Sequence, residues 1–551
     1  MTSSGTAVHR VHSFSTSAGV VEIHTFAHEQ SSHLVVHQGQ SVLVDCHDAS
    51  LAAHIRAQHL PSPMAVLHTH IQPEHTRQGS TLGDIPTYVH HKLTVLAGDR
   101  DTYNRLTRTT WDDPMDWPNT AGQEAFGIAG SVTMLPPQEP LTHLAPFSPG
   151  QKMELIGLVF EVIPLPGHGG EHACGFLLHA DRKPVALFTG DLLCHRAKLV
   201  NVYDLEYAYS RTRLFDLPAI LRQVATLGVS HFFPATGQPL YDGPEQAREL
   251  ASNIEAYQQA LSWKSGQFCY LPPAEPARLG RWYQHGEGLF QLSNFGNTIV
   301  LIDDDGRGLM IDPGPCDFGD DGRTRRFHKD LDQLHEHAGL REIDCILLTH
   351  FHGDHLDMVE QMRQRYPAVR VAAWEVLAEV IANPQDYAYP CMLPWYNLGG
   401  ESSVKVDDRL SLDALYHWHD IAIEVFHLPG HCYVHSGFLL CFRGKQIAIT
   451  GDTIQDRTQP AGLEYIIAND SVPDEHRGQL KGLKLLCQRQ VDLNLGGHSS
   501  YFYQPRSFYE ESIRRICYAQ PYLKALVPDG DLHRAFHRPT LPLWSSCMHV
   551  D

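Results

Sequence analysis

Two hydrophobic rhythms alternate along the chain. Short aliphatic and β-branched runs recur, among them Val42-Leu43-Val44, Asn297-Thr298-Ile299-Val300-Leu301-Ile302, Leu309-Met310-Ile311 and Gln446-Ile447-Ala448-Ile449-Thr450. Runs of this length read as buried strands. Other segments have helical spacing: Leu356, Val359 and Met362 share one face, and Pro367 stops the pattern. Strands mixed with helices predict an α/β layered architecture with chemistry at strand ends.

The pattern is also written twice. Val162-Ile163-Pro164-Leu165-Pro166-Gly167-His168 is followed by Gly175-Phe176-Leu177-Leu178 and Thr189-Gly190-Asp191. Val425-Phe426-His427-Leu428-Pro429-Gly430-His431 is followed by Gly437-Phe438-Leu439-Leu440 and Thr450-Gly451-Asp452. Upstream of each lies an apolar run ending in aspartate, Asp45 or Asp312, and then a histidine cluster, His68 to His75 or His350 to His355. Four elements repeating in one order predict two copies of one domain, packed against each other within the chain. The expected division is residues 1–265 and 289–551, with a linker over 266–288 marked by Leu271-Pro272-Pro273-Ala274-Glu275-Pro276.

Composition narrows the classes. The chain has 551 residues, 42% hydrophobic, with 63 acidic against 43 basic residues and a formal charge of −20, which argues against nucleic acid or an anionic membrane as partner. No run of about 18 apolar residues occurs, and the first residues, Met1-Thr2-Ser3-Ser4-Gly5, carry no signal-peptide pattern, so a cytoplasmic location is expected. Twelve cysteines without a Cys-x-x-Cys pair read as free thiols. The 37 histidines are the unusual count, and their positions have to decide which bind metal.

The sharpest local signal is Leu347-Leu348-Thr349-His350-Phe351-His352-Gly353-Asp354-His355. An apolar run ends in a loop that offers three histidines and an aspartate. His431 follows a Pro-Gly turn, Asp452 follows a strand, and His498 follows Gly496-Gly497. Imidazoles and carboxylates at element ends suit first-row divalent ions. The pattern His-x-His-x-Asp-His, then His, Asp and His, resembles the metallo-β-lactamase-fold superfamily, its glyoxalase II-like branch above all. The resemblance implies two tandem four-layer αβ/βα sandwich domains with metals at one edge. It assigns His350, His352 and His431 to one metal, Asp354, His355 and His498 to a second, and Asp452 as the bridge. The cofactors implied are two divalent ions, Zn2+ first, with iron or manganese as alternatives.

Two cations about 3.5–4 Å apart share a water and lower its pKa towards about 7, so hydroxide becomes available at neutral pH. Asp354 is the candidate catalytic residue, orienting that hydroxide and passing its proton onward. Asp312 is the candidate partner holding a ligand histidine in place. The function expected is a metal-dependent hydrolase of a small molecule, cleaving a thioester or lactone by preference and a phosphodiester next. The alternative is a non-haem iron oxidoreductase of the same fold, similar to persulfide dioxygenases. The tRNA 3′-processing endonucleases also pair an eroded with an intact copy, but the acidic balance demotes them.

The first copy has lost part of the pattern. Gln72 stands in the place of His352, Glu74 in that of Asp354 and Thr236 in that of His498. The interval from Asp191 to Thr236 is 45 residues against 46 from Asp452 to His498, which supports this placement. A dinuclear centre is not expected there. One ion on His70, His168 and Asp191, with His75 and Glu74, is the alternative to the favoured reading, a copy without a centre that packs against its partner. Tyr387, Tyr389, Trp395 and Tyr396, and Trp111 and Trp117 in the other copy, are read equally as pocket caps or core. His533, His537 and His549 read as surface residues.

Overall fold

In a computed structural model the described residues are 8–27, 30–47, 50–71, 73–76, 82–99, 140–167, 171–199, 208–261, 275–292, 296–314, 323–383, 403–454, 479–498 and 501–526. They divide into two compact units, one within residues 8–260 together with 522–526, the other within 261–521.

Each unit is built from two sheets whose strands lie in chain order. In the second unit an eight-stranded sheet runs from Ala277–Leu279 to Arg370–Trp374 and Asp408–Leu410, and a six-stranded sheet from Ala414–Trp418 to Tyr501–Tyr503. The first unit has a seven-stranded sheet, from Val8–Thr16 to Leu144–Phe147, and a five-stranded sheet, from Lys152–Leu155 to Phe232–Pro234. Pairing follows one scheme in both units. Antiparallel strands lead to Gln40–Val44 or Arg307–Ile311, which then pair parallel with Pro63–Leu67 or Glu342–Leu348. In the second sheets Lys183–Gly190 and Lys445–Gly451 likewise turn from antiparallel to parallel pairing.

The strand Glu342–Leu348 shows why the apolar runs are continuous. Ile346 and Leu348 pack among residues of the flanking helices, including Phe327, Leu331 and Leu377, while Cys345 and Leu347 face the second sheet at Val425, Phe438 and Ile449. Both faces are covered, so alternation gives way to an unbroken apolar run. On the far side of the second sheet, Tyr509 of the helix Arg506–Leu526 donates to Asn494 Oδ1 at 2.6 Å. The unit is therefore layered helix, sheet, sheet, helix. The first unit repeats the central pair: Val35, Val44 and Leu67 of one sheet meet Phe160, Phe176 and Phe188 of the other.

The linker expected over 266–288 does not extend that far. Ala277–Leu279 and Trp282–Gly286 are strands of the eight-stranded sheet, with Trp282 fully buried and its Nε1 donating to Asp330 O at 2.8 Å. The prolines mark only the approach to these strands, and a buried tryptophan outweighs a compositional signal. Residues 262–274 lie outside the described residues. No helix among the described residues is long and apolar enough to cross a membrane. No disulfide joins the described cysteines, and burial pushes the Cys174 and Cys345 thiols up to about 12.

Many histidines are structural. His33 lies between Thr25 Oγ1 at 2.9 Å and Pro234 O at 2.8 Å, and His285 between Tyr503 Oη at 2.9 Å and Gln291 Oε1 at 3.1 Å. Burial lowers His33, His285 and His427 to about 4. Their unfolded value is near 6.5, so below that pH the unfolded chain binds protons that the folded chain refuses. Stability carried by these residues is complete above about pH 6.5 and is lost as pH falls towards about 4, by up to ~3 kcal/mol each. Urea midpoints measured on metal-free protein are expected to drop steadily over that window; a flat profile would contradict the neutral, buried state of these rings.

Candidate metal centre

The loop after Glu342–Leu348 carries the first ligands into the cleft. Asp312, at the end of Arg307–Ile311, has φ 50°, a left-handed conformation uncommon for a side chain other than glycine. From there its carboxylate accepts from Thr349 N at 2.8 Å and Thr349 Oγ1 at 2.6 Å, and from His355 Nδ1 at 3.1 Å. With the Thr349 proton committed to Asp312, His350 Nδ1–H donates to Thr349 Oγ1 at 2.9 Å. These bonds fix the tautomers of His350 and His355, leaving each Nε2 lone pair turned inward.

Asp452 sits where the inward atoms converge. Its Oδ2 lies 3.8 Å from His350 Nε2, 3.4 Å from His431 Nε2 and 2.9 Å from His498 Nε2, while Oδ1 lies 3.2 Å from His355 Nε2. His431 Nε2 is 2.8 Å from His352 Nδ1. Asp354 Oδ2 is 3.6 Å from His355 Nε2 and 3.4 Å from His498 Nε2. The seven predicted residues thus come together in two groups: His350, His352 and His431 with Asp452, and Asp354, His355 and His498 with Asp452. Within each group one ligand atom per residue lies within 4.8 Å of the others.

The turns that carry these groups need glycine. Gly451 has φ 43°, and a Cβ there would lie 2.8 Å from Thr349 Oγ1. A Cβ on Gly497 would overlap Asp452 Oδ1. The backbone at Gly497 is tied on both sides, donating to Gly451 O at 2.8 Å and accepting from Asn297 N at 2.6 Å.

Electrostatics fit divalent cations. Burial holds His350 and His352 well below their ordinary value and His431 at about 4, so these three imidazoles are neutral ligands in waiting. Burial alone would raise the Asp452 carboxyl, but His355, His498 and His431 hold it well below the usual carboxylate range. Burial raises Asp354, and against burial Asp452 raises His355 and His498. The buried atoms His350 Nε2, His355 Nε2 and Asp452 Oδ1 have no hydrogen-bond partner among the described residues. An imidazole lone pair facing a carboxylate oxygen across 3.2 Å needs a proton or a cation between them. The donor set therefore suits divalent ions.

Sequence reasoning missed two neighbours. Thr349 holds the histidine tautomers, and His435 stacks on His350 with centroids 4.8 Å apart and an interplanar angle of 23°. His435 is fully buried and reaches His350 through an isolated β-bridge. A long-range pairing of this kind leaves no local motif; its trace is a histidine four residues after His431.

In the first unit His70, His75 and Asp191 form a third candidate group, with Thr236 Oγ1 donating to Asp191 Oδ1 at 2.8 Å, in the slot read for it. Gln72, His168 and the side chain of Glu74 lie outside the described residues, as do Trp111, Trp117, Tyr387, Tyr389, Trp395, Tyr396, His533, His537 and His549.

Comparison with known proteins places the second-unit geometry. Hydroxyacylglutathione hydrolase from Xylella fastidiosa (strain M12) is 28% identical over 168 residues, 30% of this chain and 49% of that protein. Hydroxyacylglutathione hydrolase GloC from Haemophilus influenzae is 28% identical over 170 residues, 29% of this chain and 66% of that protein. The chain spans about half the length of the first of these relatives. A solved metallo-beta-lactamase family protein from Thermus thermophilus is 22% identical, with a TM-score of 0.31, over 46% of this chain and 81% of that one. The family model described as the metallo-beta-lactamase superfamily matches residues 293–498, the stretch that holds all seven converging side chains. The chain thus carries a domain of the metallo-beta-lactamase superfamily.

Proposed function

We propose that the second unit is a dinuclear metal-dependent hydrolase that cleaves an ester-like bond of a small molecule, a thioester before a lactone or a phosphodiester. The observation that carries this reading is the pair of ligand groups sharing one carboxylate, Asp452. His350, His352 and His431 would hold one ion, Asp354, His355 and His498 the other, with Asp452 between them. Zn2+ suits this nitrogen and oxygen set, and iron or manganese would fit the same donors. Bound divalent ions lower the pKa of a water towards about 7 and polarise a scissile carbonyl.

The chain's own groups do the rest. Asp312 and Thr349 lock the His350 and His355 rings, so that no reorganisation is needed when charge develops. Asp354, beside His498, is the carboxylate placed to take the proton from the attacking water and pass it to the leaving group. The thioester preference rests on the hydroxyacylglutathione hydrolases, matched over part of their length.

A substrate panel tests the reading. Purified protein of measured metal content is assayed on an acylglutathione thioester, a lactone, a phosphodiester and a β-lactam, alongside His352→Ala. Thioester turnover that falls by at least about 100-fold in His352→Ala is expected. Stoichiometric iron with oxygen uptake and no hydrolysis would replace this reading with the oxidoreductase one.

A further inference from the structure

Three ligand positions of the first unit differ, at Gln72, Glu74 and Thr236, yet much of the base of its cleft repeats that of the second. Asp45 ends its strand with φ 57°, as Asp312 does with φ 50°. Its carboxylate accepts from Thr69 N at 2.9 Å and Thr69 Oγ1 at 2.8 Å, and His70 Nδ1 lies 2.9 Å from that hydroxyl. The His70 and His75 rings stand 4.2 Å apart at 50°, against 4.3 Å and 52° for His350 and His355. Gly190, before Asp191, keeps the positive φ of Gly451, 55° against 43°. His70 Nε2 lies 3.8 Å from Asp191 Oδ2, the separation found between His350 and Asp452.

The rim differs, and the difference is chemical. In the second unit both oxygens of Asp452 face imidazole nitrogens. In the first, the hydroxyl of Thr236 engages Asp191 Oδ1 at 2.8 Å, and the imidazoles of His70 and His75 both address Oδ2, at 3.8 Å and 2.8 Å. One oxygen of Asp191 thus meets a hydroxyl and the other two imidazoles, where both oxygens of Asp452 meet imidazoles. His70, His75 and Asp191 are all at least 95% buried.

We propose that the first unit binds a single first-row divalent cation on His70 Nε2, His75 Nε2 and Asp191 Oδ2, with Thr236 holding the second carboxylate oxygen away from it. Two imidazoles and one carboxylate form a donor set used for zinc and for non-haem iron, and manganese ranks below them on such nitrogen donors. Thr236 is a positioning residue: it sets which oxygen is presented and does not touch the ion.

Metal counting on the full chain tests this apart from the hydrolytic site. Protein stripped by chelator is dialysed against Zn2+, and separately against Fe2+ without oxygen, and bound metal per chain is measured. With both centres intact, three equivalents are expected. His352→Ala/His498→Ala, which disables the second unit, should keep one tightly held equivalent, and adding His75→Ala should remove it. Asp191→Asn provides a second, smaller change if His75→Ala fails to fold. Thr236→Val should retain the ion, whereas a role as ligand would lose it. Cobalt substitution supplies a further readout: the visible absorption of the lone ion should vanish with His75→Ala and persist, with shifted bands, in Thr236→Val. A folded His352→Ala/His498→Ala protein that holds no metal overturns the proposal. Failure of the dinuclear reading would look different, as an unchanged metal count in that same variant.

Discussion

Asp452→Ala is expected to abolish the hydrolytic activity and to release both ions from the second unit together. Asp452 is the only residue common to both ligand groups among the described residues, with Oδ1 facing His355 and Oδ2 facing His350, His431 and His498. Removing it takes a charge and two donor atoms from a buried site where four imidazoles converge. Turnover should fall on the order of 10³-fold or more, because water activation and carbonyl polarisation are lost at once. Asp452→Asn keeps the shape and removes the charge, so it should behave nearly as badly. Circular dichroism should stay close to the parent, since the sheets do not depend on this side chain. Two retained equivalents of metal, with activity within about tenfold of the parent, would show that the carboxylate is not shared.

Gly497→Ala is expected to have almost as large an effect without touching any ligand. The added methyl would overlap Asp452 Oδ1, and the backbone cannot retreat because Gly497 is tied to Gly451 on one side and Asn297 on the other. The carboxylate must swing instead. A displacement of about 1 Å at a reacting centre costs on the order of 10² in rate. The expected result is a fall of that size in kcat/KM, with weaker metal retention and a urea midpoint close to the parent. A variant with normal kinetics would mean that the Gly496–His498 turn moves freely, which its hydrogen bonds contradict.

How much of this could be read from the sequence depended on where the information lies. The seven converging residues were legible because chemistry at a sheet edge compresses into short motifs: His350 to His355 are six consecutive positions, and His431, Asp452 and His498 each follow a turn glycine. The layered architecture was legible because strands covered on both faces leave unbroken apolar runs. Thr349 and His435 escaped notice because their roles arise from pairings between distant strands: Ser436 N donates to Thr349 O at 2.8 Å, and His350 bridges to His435. The strands at 277–286 were hidden behind a proline signal that ended just before them. In the first unit, the glutamine and threonine at ligand positions suggested a lost centre. The sequence pattern ranks His75 behind His70, His168 and Asp191 as a ligand of a single ion, yet it lies nearer Asp191 than His70 does, at 2.8 Å against 3.8 Å. The sequence shows which residues changed; whether the remainder still converge depends on the Asp45 and Thr69 scaffold beneath them.

The order of strands within the sheets bears on how the chain acquires its structure. Every sheet is assembled from strands consecutive in sequence, and no strand of a later sheet is needed to complete an earlier one. Most pairings therefore close short loops, and in each sheet the first parallel pair, the slower kind to form, follows antiparallel neighbours already in place. During synthesis, the twelve strands found among the described residues of the first unit are made before the strand at Ala277. Such an order limits the time during which unpaired edges are exposed to one another, the hazard to which a chain carrying the same sheets twice would be most prone.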